Sequence, residues 1–165
     1  MNPLFEKFCL MGGLFSILGF IHFFVDFVCQ THFEAMNKHN NALIRARHCA
    51  IYTLGFLPVL FFMHACGVYT WLEMFIAVNI LFWSHFGEDT YYPVYLWARY
   101  IRRPSEMTDP IVTTNFVGHQ VVLPPDPKAG FIKFINTTLG KILMIAVDQI
   151  IHFAFLLPVA WMALN

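Results

Sequence analysis

Four stretches of this chain carry no Asp, Glu, Lys or Arg: residues 8–25, 48–72, 74–87 and 149–165. An ionised side chain at the centre of a bilayer costs about 2.5–3.5 kcal/mol on insertion scales, so such stretches mark where a helix can cross lipid. Two of them, 74–87 and 149–165, fall short of the roughly 18 residues at which an apolar stretch reads as a crossing helix. Their spans must therefore run past the bounding charges and carry acids inside. The pattern predicts helices near 5–31, 44–66, 71–97 and 132–163, the third with a weak point at Gly87 or Pro93. The expected fold is all-α, a four-span transmembrane bundle forming a single domain over residues 1–165. The first span lacks a small-x-small cleavage site and continues into Asp26 and Gln30, so it reads as a retained helix and not as a signal peptide. From 102 to 130, five prolines and little helical periodicity predict a long extramembrane loop, either a functional cover or a disordered segment. Within it, Val121-Val122-Leu123 suits a short strand or a patch lying on headgroups.

Composition narrows the class. Of 165 residues, 58% are hydrophobic and only 12% charged, about half the charge of a soluble protein. Ten Lys/Arg balance ten Asp/Glu, which excludes a nucleic-acid binder with a basic face, a water-soluble enzyme and a disordered linker. Cys9, Cys29, Cys49 and Cys66 are widely spaced within apolar runs and form no C-x-x-C, so they read as small buried hydrophobes and not as a disulfide framework. Nine of the ten basic residues, all but Lys7, fall on the side of the first and third loops. The positive-inside rule then predicts both termini on the non-cytoplasmic side.

The polar residues inside the spans are more informative than the apolar ones. Gly12, Ser16, Gly19, His22, Asp26 and Gln30 follow at steps of three or four, which places them in one helical stripe expected to face protein. Three His/Asp pairs sit four residues apart: His22 with Asp26, His85 with Asp89, and Asp148 with His152. With His48 at the start of the second span, all of these can meet in one layer near the cytoplasmic ends of the helices. Neutral imidazoles and carboxylates are what zinc, manganese or iron accept. The predicted metal ligands are His22, Asp26, His48, His85, Asp148 and His152, serving one or two divalent ions. Asp89, Glu88 and Lys38 are the candidate catalytic groups, and Gln30, Tyr52 and Gln149 the groups that fix the ligands or touch substrate. His32, His39, His64 and His119 lack an acid at helical spacing and stay outside this set. Arg99, Arg102, Arg103 and Lys38 read first as topology signals and second as a headgroup-binding cluster.

The strings HFFVDFVCQ (22–30) followed by Lys38, His48 with Tyr52, HFGED (85–89) and DQIIH (148–152) resemble the pattern of a family of small bacterial and phage membrane proteins, domain of unknown function 3307. The third string departs from that pattern at Gly87-Glu88 and at Thr90-Tyr91-Tyr92. The resemblance implies a multi-pass protein of the bacterial inner membrane and this residue set, and it implies no activity. From the residues, the leading expectation is a membrane-embedded metal-dependent hydrolase acting on a lipid or lipid-linked substrate at the cytoplasmic leaflet. The alternatives are a metal-ion or proton transport protein, a haem or quinone binder, and an interaction subunit. The expected partners are the bilayer and a lipid substrate, with homo-oligomerisation left open and no nucleic acid.

Overall fold

The computed structural model describes residues 2–114 and 120–164. Among the described residues the structure is helical apart from one pair of antiparallel strands, and the chain divides into two compact units, Met1–Thr90 with Ile150–Asn165, and Tyr91–Gln149.

In the first unit, α1 (Pro3–Phe23) starts where Asn2 accepts a hydrogen bond from the Leu4 amide at 2.9 Å, with Pro3 in the first turn, where its missing N–H costs nothing. It passes into a π-helical turn at Phe24–Val28. A short α2 (His32–Asn37) follows, opened by a reciprocal cap between Thr31 and Glu34. Then come α3 (Ala42–Ala65), capped by Asn41, and α4 (Trp71–Glu88), capped by Thr70 with Glu73. The C-terminal part of α8 (Thr138–Trp161), from Ile150, completes this unit. Leu18, Phe56, Leu60, Leu81, Leu156 and Val159 form its apolar core. Within this unit two glycines permit close approaches: a Cβ on Gly19 would lie 2.7 Å from the Phe153 ring, and one on Gly55 would lie 2.4 Å from a Val25 methyl.

Among the described residues, three helical segments are long and apolar enough to cross a membrane, Pro3–Val28, Ala42–Ala65 and Thr138–Leu164. α4 has 18 residues, about 27 Å at 1.5 Å per residue, close to the roughly 30 Å hydrocarbon thickness.

The second unit contains α5 (Tyr92–Trp97), a π-helical turn (Ala98–Arg102), α6 (Ser105–Thr108), β1 (Ile111–Thr114), β2 (Gln120–Leu123), α7 (Pro127–Asn136) and the start of α8 (Thr138–Trp161). The strands pair antiparallel with Ile111 opposite Leu123 and Thr114 opposite Gln120. Val94, Ala98, Met107, Phe131 and Phe134 make its core.

Several boundaries differ from the sequence reading. The first helix ends at Val28, because Thr31 is held extended (ψ 154°) to cap α2. The third ends at Glu88 and does not run to 97: Tyr91 turns left-handed (φ 60°), and Pro93 has no N–H to offer the carbonyl of Asp89. The fourth starts at Thr138, where Thr137 stays extended and its hydroxyl accepts from the Gly140 amide at 2.9 Å. The 102–130 segment is structured over much of its length by α6, the hairpin and the start of α7, and Val121–Leu123 lies in β2. Finally, Gly12 and Ser16 are exposed. At that level α1 buries Leu14 and Leu18, each two residues from Ser16, about 200° around the helix. Only Gly19, His22 and Asp26 of the predicted stripe are buried, and Gln30 is half-buried.

Candidate metal centre

The end of the first unit where α1 and α4 finish and α3 begins contains a buried polar cluster. Asp26 comes from the π-helical turn that ends α1, His48 from α3, His85 and Glu88 from the last turn of α4, Asp89 from its C-cap, and His152 from α8. Each is at most 5% exposed. A π-helical turn inserts an extra residue into the helix and re-aims the side chains it carries, a device common at functional sites.

Asp26 Oδ1, His48 Nε2 and His85 Nε2 form a closed triangle. The two nitrogens are 2.9 Å apart, His48 Nε2 lies 3.1 Å from Asp26 Oδ1, and His85 Nε2 lies 3.6 Å from it. Ligand atoms around a tetrahedral ion with bonds of 2.0–2.1 Å are separated by about 3.3 Å, and the three edges bracket that value. Asp89 Oδ2 stands 3.5 Å from both nitrogens. A ring nitrogen has one in-plane direction for a proton or a lone pair, yet His48 Nε2 also has Lys38 Nζ at 3.1 Å. One hydrogen bond does not account for that convergence, whereas a cation among the donors does.

Two further triads share His85: Cys49–His85–Asp89 and His85–Glu88–His152, each offering ligand atoms within 4.8 Å of one another. In the second, His152 Nε2 is 3.0 Å from Glu88 Oε2. His85 is thus the hub. Tyr52 holds it in place by stacking on its ring at 3.8 Å with the planes 2° apart, and the Tyr52 hydroxyl is hydrogen-bonded to His22 Nδ1 at 3.0 Å.

Lys38 enters from the C-cap of α2. Its ammonium lies 2.8 Å from Asp89 Oδ1 and 3.4 Å from Asp26 Oδ1. The backbone there is pinned by Arg45, whose guanidinium donates to the carbonyls of Lys38 and His39 at 3.1 and 3.2 Å. Outside the long helices, Glu34 is buried under α2. Burial raises its carboxyl, but the amide and hydroxyl of Thr31 and the charge of Arg47 outweigh that and hold it below the ordinary carboxylate range.

Charge counting gives the cluster its character. With Asp26, Glu88 and Asp89 ionised, Lys38 charged and the imidazoles neutral, these buried groups would sum to two negative charges. Uncompensated charge in such surroundings is strongly unfavourable. One divalent cation, or two protons on the carboxylates or the histidines, neutralises it.

The structure brings together Asp26, Lys38, His48, His85, Glu88, Asp89 and His152, with His22 and Tyr52 alongside. Asp148, which the sequence also suggested, belongs to the second unit, where it is half-buried and accepts from Gln149 Nε2 at 3.3 Å. Cys49, read from the sequence as a small buried hydrophobe, sits within ligand reach of His85 and Asp89; its place directly after His48 is the only sequence signal for it. His119 lies outside the described residues. The chain matches no protein-family model, no curated protein and no solved structure.

Proposed function

We propose that this chain is an integral membrane metalloprotein that hydrolyses a lipid or lipid-linked substrate, its ion held by Asp26, His48 and His85 at the cytoplasmic end of the helices. The observation that carries the reading is the Asp26–His48–His85 triangle, whose edges of 2.9–3.6 Å match a four-coordinate ion. α4 serves as a fourth span beside the three longer helices, and the distribution of basic residues puts both termini outside. The residue set also keeps the resemblance to domain of unknown function 3307, a family placed in the bacterial inner membrane.

Two histidines and one carboxylate leave a coordination position open, the arrangement in which a divalent ion acidifies a bound water and polarises an ester or phosphate oxygen. Asp89, with one oxygen 3.5 Å from both ligand nitrogens and the other on Lys38, is the base for that water or a fourth ligand. Lys38 offers its ammonium to an anionic group arriving at the same point. The Glu88–His152 pair provides a second site around the shared His85, which sets the expected content at one or two ions. The test is elemental analysis of chelator-free preparations, wild type against His48→Ala and Asp26→Asn. At least one equivalent of zinc, manganese or iron that both substitutions remove supports the reading, and its absence from the wild type refutes it.

One observation favours a second reading. His152 Nε2 lies 3.0 Å from Glu88 Oε2, close enough for the two to share a proton, and two protons held by the cluster would neutralise it without metal. The protein would then be a proton-handling or transport protein. Proton uptake into proteoliposomes that depends on Glu88, together with a metal-free wild type, is its signature.

A further inference from the structure

α3 and α4 enclose an open groove of about 320 Å³ on the outward surface of the first unit, at the lower end of the roughly 300–1,000 Å³ typical of ligand sites. Ala50, Leu54 and Leu57 line one side; Val78, Phe82 and Trp83 line the other. The two polar side chains in the wall are turned back into their own helices. Thr53 donates to the Cys49 carbonyl and Asn79 to the Phe75 carbonyl, each at 2.8 Å. The groove thus offers an approaching molecule a mainly apolar surface. Leu54 and Trp83 at its rim are 60% and 62% exposed. On a membrane-spanning helix pair, that rim meets acyl chains.

The groove has a charged end. Phe82 stacks on Phe86 with ring centroids 6.2 Å apart, and the Arg45 guanidinium carbon sits 4.5 Å above the Phe86 ring. Arg45 is five residues before Ala50 on α3, about 7.5 Å along the helix. The same arginine holds the carbonyl of Lys38, whose ammonium reaches Asp26 and Asp89. Cys49, next to Ala50, is within ligand reach of His85 and Asp89. A hydrophobic trough that ends in a fixed guanidinium is complementary to an amphiphile with an acyl tail and a phosphate head.

The geometry points to an acyl phospholipid from the surrounding bilayer as the occupant: one tail lies in the α3–α4 groove and Arg45 holds the phosphate, which sets the headgroup linkage beside the buried cluster. The consequence for catalysis rests on the metal reading above; binding in the groove does not. An arginine suits this place because its guanidinium, with Nη1 on the carbonyls of Lys38 and His39, keeps the N–H groups of Nη2 for a phosphate oxygen while its face rests on Phe86.

Photolabelling of the full-length protein in bilayer discs tests this with two probes that share a diazirine-bearing acyl tail, phosphatidylglycerol and uncharged diacylglycerol. Adducts on the wild type are expected to concentrate on Leu54, Leu57, Phe82 and Trp83. Arg45→Gln should cut labelling by phosphatidylglycerol about fivefold or more and leave diacylglycerol labelling unchanged. Ala50→Phe fills the groove and should cut both about tenfold, with Val78→Phe as the second filling variant if Ala50→Phe loses its helical circular dichroism. Phe62→Ala, at an exposed position outside the groove, should change neither. Adducts spread evenly over exposed positions such as Phe62 and Leu72 would overturn the proposal. So would a groove closed to both probes and crosslinked to a second copy of the chain. The adduct map needs no metal: an ion-free protein with a focused map removes the hydrolase and keeps the groove, and a flat map on a metal-loaded protein does the reverse.

Discussion

The two ends of the first unit are built from the same helices and packed in the same way, and they bury opposite chemistry. At the end where α1 begins, Leu14, Phe56, Leu60, Leu156 and Val159 fill the interior, and the polar links are few: Tyr69 donates to the Val159 carbonyl and Lys7 to that of Leu164, each at 2.5 Å. At the other end, three carboxylates, an ammonium and four imidazoles occupy the same kind of space. The first end shows that apolar packing suffices to hold these helices together. In lipid a polar contact between helices is worth only about 0.6–2 kcal/mol, so holding helices together does not by itself call for a cluster of this size. A cluster that costs stability and aims its donor atoms at one point is better explained by what it binds.

Five outcomes would sharpen or break that contrast. The largest is at the hub: His85→Ala should lower bound metal at least tenfold, because all three triads use this ring, while helicity is retained. Next, Phe56→Ala at the apolar end, where the side chain is fully buried, should destabilise the fold by about 3–5 kcal/mol in a denaturant or thermal titration and leave metal per folded chain unchanged. If Phe56→Ala stripped the metal, or His85→Ala unfolded the protein, the two ends would not be separable. Asp89→Asn should weaken metal binding about 10–100-fold in competition with a chelating dye, because it removes one of the uncompensated charges. Lys38→Met should act in the opposite sense and tighten binding about tenfold, since the ammonium competes with the ion for Asp26 and Asp89. The smallest effect is at the α2 cap, worth about 1 kcal/mol. The Glu34 carboxyl is held below its ordinary value in the folded state, so its contribution is present above the unfolded pKa and is lost as pH falls through the folded one. Amide exchange in α2 should accelerate over that acidic window in the wild type and show no such step in Glu34→Gln.

Much of this contrast is legible in the sequence, for a physical reason. Charged groups inside apolar helices have few places to go, so His22, Asp26, His48, His85, Asp89 and His152 stand out wherever the helix ends fall. The positions of the apolar stretches follow from the same rule. What the sequence hides depends on packing. The pairing of His152 with Glu88 is a product of how α4 and α8 meet, and helical periodicity cannot supply it. Gly12 and Ser16 keep the spacing of the stripe, but α1 turns Leu14 and Leu18 inward at that level. The break after Glu88 depends on Tyr91 adopting a left-handed conformation ahead of Pro93. Arg45 counts in the sequence as one more basic residue on the side of the first and third loops; its seat on Phe86 at the head of a groove appears only in three dimensions.

The most direct measurement is the metal content of the wild-type protein, extracted without chelators and then offered zinc, manganese and iron(II). One or two tightly held ions per chain, lost with His85→Ala and retained in Phe56→Ala, is the predicted result. A folded wild-type protein that retains no divalent ion under any of these conditions would contradict the account, and its two buried negative charges would have to be met by protons.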